Sequence, residues 1–235
     1  MTKGWEVWRG MSQLDLTTPI VVIATRGSSN AKTGDMIQTW ILRQDAVPSS
    51  HASHGAGDQP ICGNCPLRGS EASPRRCYVN TAFAPNGVWK AWQRGAYGVE
   101  MPSDARGQAL RLGAYGDPAA VPLAIWLQLM LKVAPKKWTG YTHQWRECDP
   151  LFASLCMASV ETEGEMIQAR SRGYRTFRTG HQVIKGVEIL CPASKEGGFK
   201  TTCEKCGLCS GAGLGSKSIM IHPHGSAKGR FLNGE

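Results

Sequence analysis

The stretch "TTCEKCGLCSG" at 201–211 carries Cys203, Cys206 and Cys209, each separated from the next by two residues, and Cys191, followed directly by Pro192, precedes them. A second group, "CGNCPLRGSEASPRRC", supplies Cys62, Cys65 and Cys77. Soft thiolate donors at such spacings suit zinc or iron–sulfur clusters. Structural zinc usually takes two Cys-x2-Cys pairs from separate knuckles, an arrangement missing here. A four-iron cubane offers its irons at separate corners, so a Cys-x2-Cys-x2-Cys loop can wrap three of them while a distant cysteine reaches the fourth. Cys191, Cys203, Cys206 and Cys209 are therefore read as ligands of a [4Fe-4S] cluster, with zinc as the alternative. The group Cys62, Cys65 and Cys77 admits two readings. Three thiolates can hold a second cubane whose fourth iron is open to a small ligand, or His51 or His54 can complete a zinc site. Cys148 and Cys156 have no partner spacing, and Cys156, in an apolar run, reads as a small core residue.

Composition limits the remaining choices. A chain of 235 residues with 41% hydrophobic content can bury a full core. No apolar run is long enough to span a membrane, and "MTKGWEVWRGMSQLD" lacks the apolar centre of a secretion signal, so a cytoplasmic protein is expected. The odd count of nine cysteines then favours metal ligands or free thiols over disulfides. A formal charge of +9 would suit a phosphate-bearing partner such as nucleic acid, although the basic residues are scattered as on an ordinary solvated surface.

The elements that must position these groups follow from local patterns. "PIVVIAT" and "MIQTWILRQ" read as strands, and the polar segment 45–80 is a long loop whose order needs an anchor. Asn86 is expected to cap a helix through "GVWKAWQR"; "QALRLGAY" reads as a strand and "VPLAIWLQLMLKV" as an apolar helix. "WTGYTH" and "LCMASV" are short strands. Thr162 and Glu165 have capping-box spacing ahead of a helix that Gly173 ends, and "YRTFR" and "VEIL" resume as strands. Strands separated by helices imply right-handed crossovers and a parallel sheet. The expected organisation is an α/β domain over 1–190 that includes the cysteine loop 45–80, with a cysteine-rich metal-binding extension over 191–235. "GAGLGSKS" lacks a phosphate-loop ending and reads as a flexible connection, and "HPHG" at 222–225 reads as a terminal turn.

The order of parts, a three-cysteine loop between an early strand and a helix, resembles the radical S-adenosylmethionine superfamily. The resemblance runs from "MIQTWIL" through Cys62, Cys65 and Cys77 to "GVWKAWQR", with "RLGAYGDP" placed as the second strand, "WTGYTH" and "MASVET" as the third and fourth. It implies a partial (β/α) barrel, a [4Fe-4S] cluster whose open iron binds S-adenosylmethionine, an auxiliary cluster at the C-terminal cysteines, and contacts from Gly116, Asp117 and Pro118 to the cofactor's methionyl amine. The spacing is Cys-x2-Cys-x11-Cys where that superfamily has Cys-x3-Cys-x2-Cys. Stretches such as "GYTHQW" and "CPASKEGGFKTTC" also resemble uncharacterised proteins encoded by bacteriophages, which would place the protein in a host cytoplasm. In this barrel-like reading Tyr115, Asp117 and Thr142 line the carboxyl ends of the expected parallel strands, where α/β proteins bind ligands. Two functions are therefore carried forward. One is an iron–sulfur protein performing redox or radical chemistry on a small molecule, served by an electron donor. The other is a nonenzymatic zinc or iron–sulfur module that binds nucleic acid or a host protein.

Overall fold

The computed structural model describes residues 4–27, 30–51, 55–69, 75–212 and 217–223. β1 (Gly4–Met11), β2 (Pro19–Thr25) and β3 (Ile37–Arg43) form an antiparallel meander, to which β4 (Leu110–Tyr115) and β5 (Trp138–Thr139) add in parallel. The apolar run of β2 is inaccessible on both faces from Ile20 to Ala24, as a central strand requires. β1 forms on "GWEVWRGM", which sequence reasoning treated only as a non-signal segment. α1 (Pro48–His51), α2 (Gln59–Cys62) and α3 (Ala84–Gln93) occupy the long β3–β4 connection.

The second sheet contains β6 (Tyr141–Thr142), β7 (Met157–Val160), β8 (Thr176–Thr179), β9 (Glu188–Leu190) and β10 (Ser218–Ile221), in the order β6-β7-β8-β10-β9 with every pairing parallel. The fold is thus mixed α/β with two five-stranded sheets. The described residues contain no closed sheet: the strand pairing gives two open ladders and does not itself establish the expected partial barrel. The single strand expected at "WTGYTH" is divided at Gly140, with β5 pairing in one sheet and β6 in the other. A Cβ at Gly140 would lie 2.7 Å from the Leu155 carbonyl oxygen and 2.8 Å from the Cys156 sulfur, so this close passage requires glycine.

β10 lies between β8 and β9, and the cysteine-rich stretch 191–217, with the one-turn α6 (Cys203–Cys206), is the crossover joining two parallel neighbours. Such a crossover is usually a helix; here it is the cysteine-rich loop. α4 (Leu123–Val133) buries Trp126, Leu129 and Val133 at helical spacing against the first sheet's core. α5 (Glu163–Ser171) has both reciprocal capping-box bonds between Thr162 and Glu165, and Gly173 follows it at φ +85°. The expectation that Asn86 caps α3 is overturned: Phe83 stands at that position, and the Asn86 amide instead donates to Ser49 Oγ at 2.7 Å and accepts from Ser49 N at 2.9 Å. No helix among the described residues is long and apolar enough to cross a membrane.

Candidate functional site: one cavity between two cysteine groups

Strand alternation builds the site. Side chains two apart share a face, and Arg111 and Gly113 on β4, Thr139, Tyr141 and His143 through β5 and β6, Ser159 and Glu161 along β7, and Phe177 and Thr179 on β8 all line one cavity of roughly 430 Å³. Cys62, Cys65 and Cys77 border it, and so does Cys203 of the other group.

The Cys62 turn is held from three sides. Ser12 Oγ donates to the Pro60 carbonyl at 2.6 Å, the amide of Asp117 donates to Ile61 O at 2.6 Å, and Gln144 Nε2 donates to Cys62 O at 3.0 Å. Gly63, at φ +54°, lets the Gln144 amide approach; a Cβ there would fall 2.5 Å from it. Cys77 returns to the turn through its amide, which donates to Leu67 O at 2.7 Å, and Arg75 is paired with the inaccessible Asp58 beneath. Burial pushes the Cys62 thiol well up, with Asp58, Cys65 and Cys77 adding to the shift. Burial also raises Cys77, against the opposing pull of Arg75. Burial works against protonation of His143, but contacts with Cys65 and Glu161 outweigh it and hold the imidazole well above its ordinary pKa. Its Nε2 lies 3.1 Å from Glu161 Oε1.

Cys191, Cys203, Cys206 and Cys209 line a second, small void of about 20 Å³. The loop that carries them is tied to the β2–β3 connection by Cys203 N donating to Lys32 O at 2.9 Å and Glu204 N to Thr33 O at 3.0 Å. Thr202 caps α6, and Gly207 leaves it in the left-handed region. Arg175, buried at 6% exposure, donates to the carbonyls of Leu208, Gly211 and Lys217 at 2.8, 3.0 and 3.1 Å. Burial pushes the Cys209 thiol up to about 12, although a hydrogen bond with Tyr141 opposes this. Burial also raises Cys203, while Lys32 and Arg111 pull it back.

Tyr115, Gly116 and Asp117 lie on the large cavity's wall, but Thr142 does not. Thr142 is inaccessible, and its hydroxyl donates to Asp117 Oδ1 at 2.7 Å. The same carboxylate accepts from Ala119 N at 3.0 Å and from His143 N at 2.8 Å, so Asp117 ties the ends of β4 and β6 together. Gly116 sits at φ +81°, where a Cβ would meet Ile41 at 2.7 Å. Cys156 is a core residue, and Cys148 Sγ contacts the Tyr174 hydroxyl at 3.4 Å. His54 and His224 lie outside the described residues, as do residues 213–216 of the glycine-rich stretch 211–218; the backbone of His51 ends α1. Sequence reasoning missed Arg111, Tyr141, His143, Gln144 and Glu161. The alternation in "YTH" was available as a signal for Tyr141 and His143, but nothing local marked the face.

Among the described residues, no three His, Cys, Asp or Glu side chains converge on a point that would hold a single metal ion. Zinc draws its thiolates to about 2.3 Å from one centre, whereas a cubane spreads them over its corners. Seven thiols in two groups, each bordering a void, are the soft donor type that both zinc and iron–sulfur clusters take. Comparison with protein-family models, with curated proteins and with solved structures found no match.

Proposed function

We propose that the protein is an iron–sulfur protein whose large cavity is an active site for redox or radical chemistry on a small molecule. The observation that carries this reading is that Cys62, Cys65 and Cys77 on one loop and Cys203 of the other group border the same cavity, beside the carboxyl ends of parallel strands. In this reading Cys62, Cys65 and Cys77 hold a [4Fe-4S] cluster with one open iron, and Cys191, Cys203, Cys206 and Cys209 hold a closed one. An open-iron cluster supplies an electron to a bound small molecule; S-adenosylmethionine is the candidate that the radical S-adenosylmethionine resemblance suggests, with Tyr115, Gly116 and Asp117 beside it.

The chain's own residues have definable parts. Gln144, through its side-chain amide, and Asp117, through its backbone amide, fix the Cys62 turn to the strand ends. His143 touches both Cys65 and Glu161, so it links the three-cysteine loop to the end of β7 across the cavity wall. Tyr141, Phe177 and Leu67 supply apolar wall that displaces water.

The nonenzymatic reading makes positive charge the contact surface. Three buried or half-buried arginines are already spent internally, Arg75 on Asp58, Arg178 on Glu188, and Arg175 on carbonyls, which favours the first reading. The test is reductive cleavage of S-adenosylmethionine by anaerobically purified protein with a low-potential reductant. Cleavage that vanishes in Cys62→Ala supports the proposal; absence of cleavage by iron-loaded wild type removes S-adenosylmethionine from it. Steeply salt-dependent nucleic-acid binding would instead support the module.

A further inference from the structure

Arg111 on β4 projects into the large cavity near Cys203 and Tyr141. Its Nη2 donates to the Tyr78 hydroxyl at 2.9 Å, while its Nε is buried with no hydrogen-bond partner among the described residues. A buried guanidinium N–H left without an acceptor is costly, and guanidinium normally meets a carboxylate or phosphate through its fork. No acid in the cavity wall serves. Asp117 is taken up by Thr142, Ala119 and His143, and Glu161 by His143. Lys32, also on the wall and close to Cys203, adds a second positive charge. Tyr141 and Phe177, their ring centroids 4.7 Å apart, provide adjoining aromatic surface.

We infer that the cavity contains an anion subsite in which Arg111, assisted by Lys32, binds the carboxylate or phosphate of a small-molecule substrate whose flat or apolar part lies against Tyr141 and Phe177. This rests on reading the cavity as an active site, but the subsite is testable without turnover. The probes are benzoate and phenyl phosphate, with benzamide as the neutral control, titrated calorimetrically into the full-length, anaerobically purified protein. Saturable binding of either anion, with benzamide roughly tenfold or more weaker, is expected from loss of a charge-assisted pair. Preference for benzoate assigns a carboxylate, and preference for phenyl phosphate a phosphate.

Arg111→Met should weaken the preferred anion by roughly tenfold or more at unchanged iron content and circular dichroism. Arg111→Lys retains the stem and charge if the Met variant does not fold, and should still weaken benzoate because it lacks the fork. Failure of both anions to bind, equal binding of benzamide, or anion binding indifferent to both substitutions would overturn the subsite. Anion binding by protein lacking iron would leave the subsite standing and remove the cluster reading; iron without anion binding would do the reverse.

Discussion

Replacing Arg175 by Met should open the four-cysteine loop while leaving the three-cysteine loop in place. The guanidinium bridges three carbonyls, of which that of Gly211 lies in a buried hydrogen bond, that of Leu208 is half-buried, and that of the exposed Lys217 can turn to water. One buried and one half-buried acceptor left unmade, at about 1–3 kcal/mol each, give at most roughly 2–6 kcal/mol in favour of loop opening, less what is recovered by removing a buried cation. At about 1.4 kcal/mol per factor of ten, the open population should rise by a factor on the order of 30. Pulsed maleimide labelling of metal-free protein, read by peptide mass spectrometry, measures this directly. Cys191 and Cys209, at 5% and 8% exposure, should label faster by about that factor, and Cys62, Cys65 and Cys77 should label at the wild-type rate. Unchanged labelling at Cys191 and Cys209, or equal acceleration at all seven positions, would refute the claim that Arg175 acts as a local clamp.

Four further outcomes are expected. Glu188→Ala leaves Arg178 unpaired after loss of a two-pronged pair at 2.8 and 2.6 Å, and should destabilise the protein by about 3–5 kcal/mol in urea unfolding; the double change with Arg178→Met should recover much of it. Burial raises the Asp117 pKa despite its three donors, so the folded state takes up this proton more readily than the unfolded one. The group therefore adds stability as pH falls from its folded value towards the ordinary 3.8, and the wild-type advantage over Asp117→Asn should grow in that window; a pH-independent difference would contradict this. Thr162→Ala removes the α5 cap and should lower unfolding free energy by about 1 kcal/mol, measured by thermal or urea denaturation. Gly140→Ala should prevent soluble expression or lower the melting temperature sharply, because its Cβ meets backbone and the Cys156 sulfur.

Much of this arrangement could be read from local pattern. "PIVVIAT" is a strand because an unbroken apolar run fits a position covered on both faces, and the Thr162–Glu165 spacing forms its capping box as written. The two cysteine groups were visible as groups, and each borders its own void. What was not legible depends on contacts distant in sequence. The split at Gly140 follows from the approach of Leu155 and Cys156, and β10 joins the sheet between β8 and β9 after a long cysteine-rich excursion. Arg175 looks like any basic residue until the carbonyls of Leu208 and Gly211 fold over it. Asp117 and Thr142 were singled out for their positions at strand ends, yet they bond to each other; the neighbouring His143 and Glu161 are the polar pair on the cavity wall.

The most direct measurement is iron, acid-labile sulfide and zinc content of anaerobically purified protein, taken with its absorption spectrum. Two clusters predict about eight irons and eight sulfides per chain, falling to about four when Cys62, Cys65 and Cys77 are replaced together. Zinc without iron or sulfide would contradict the account.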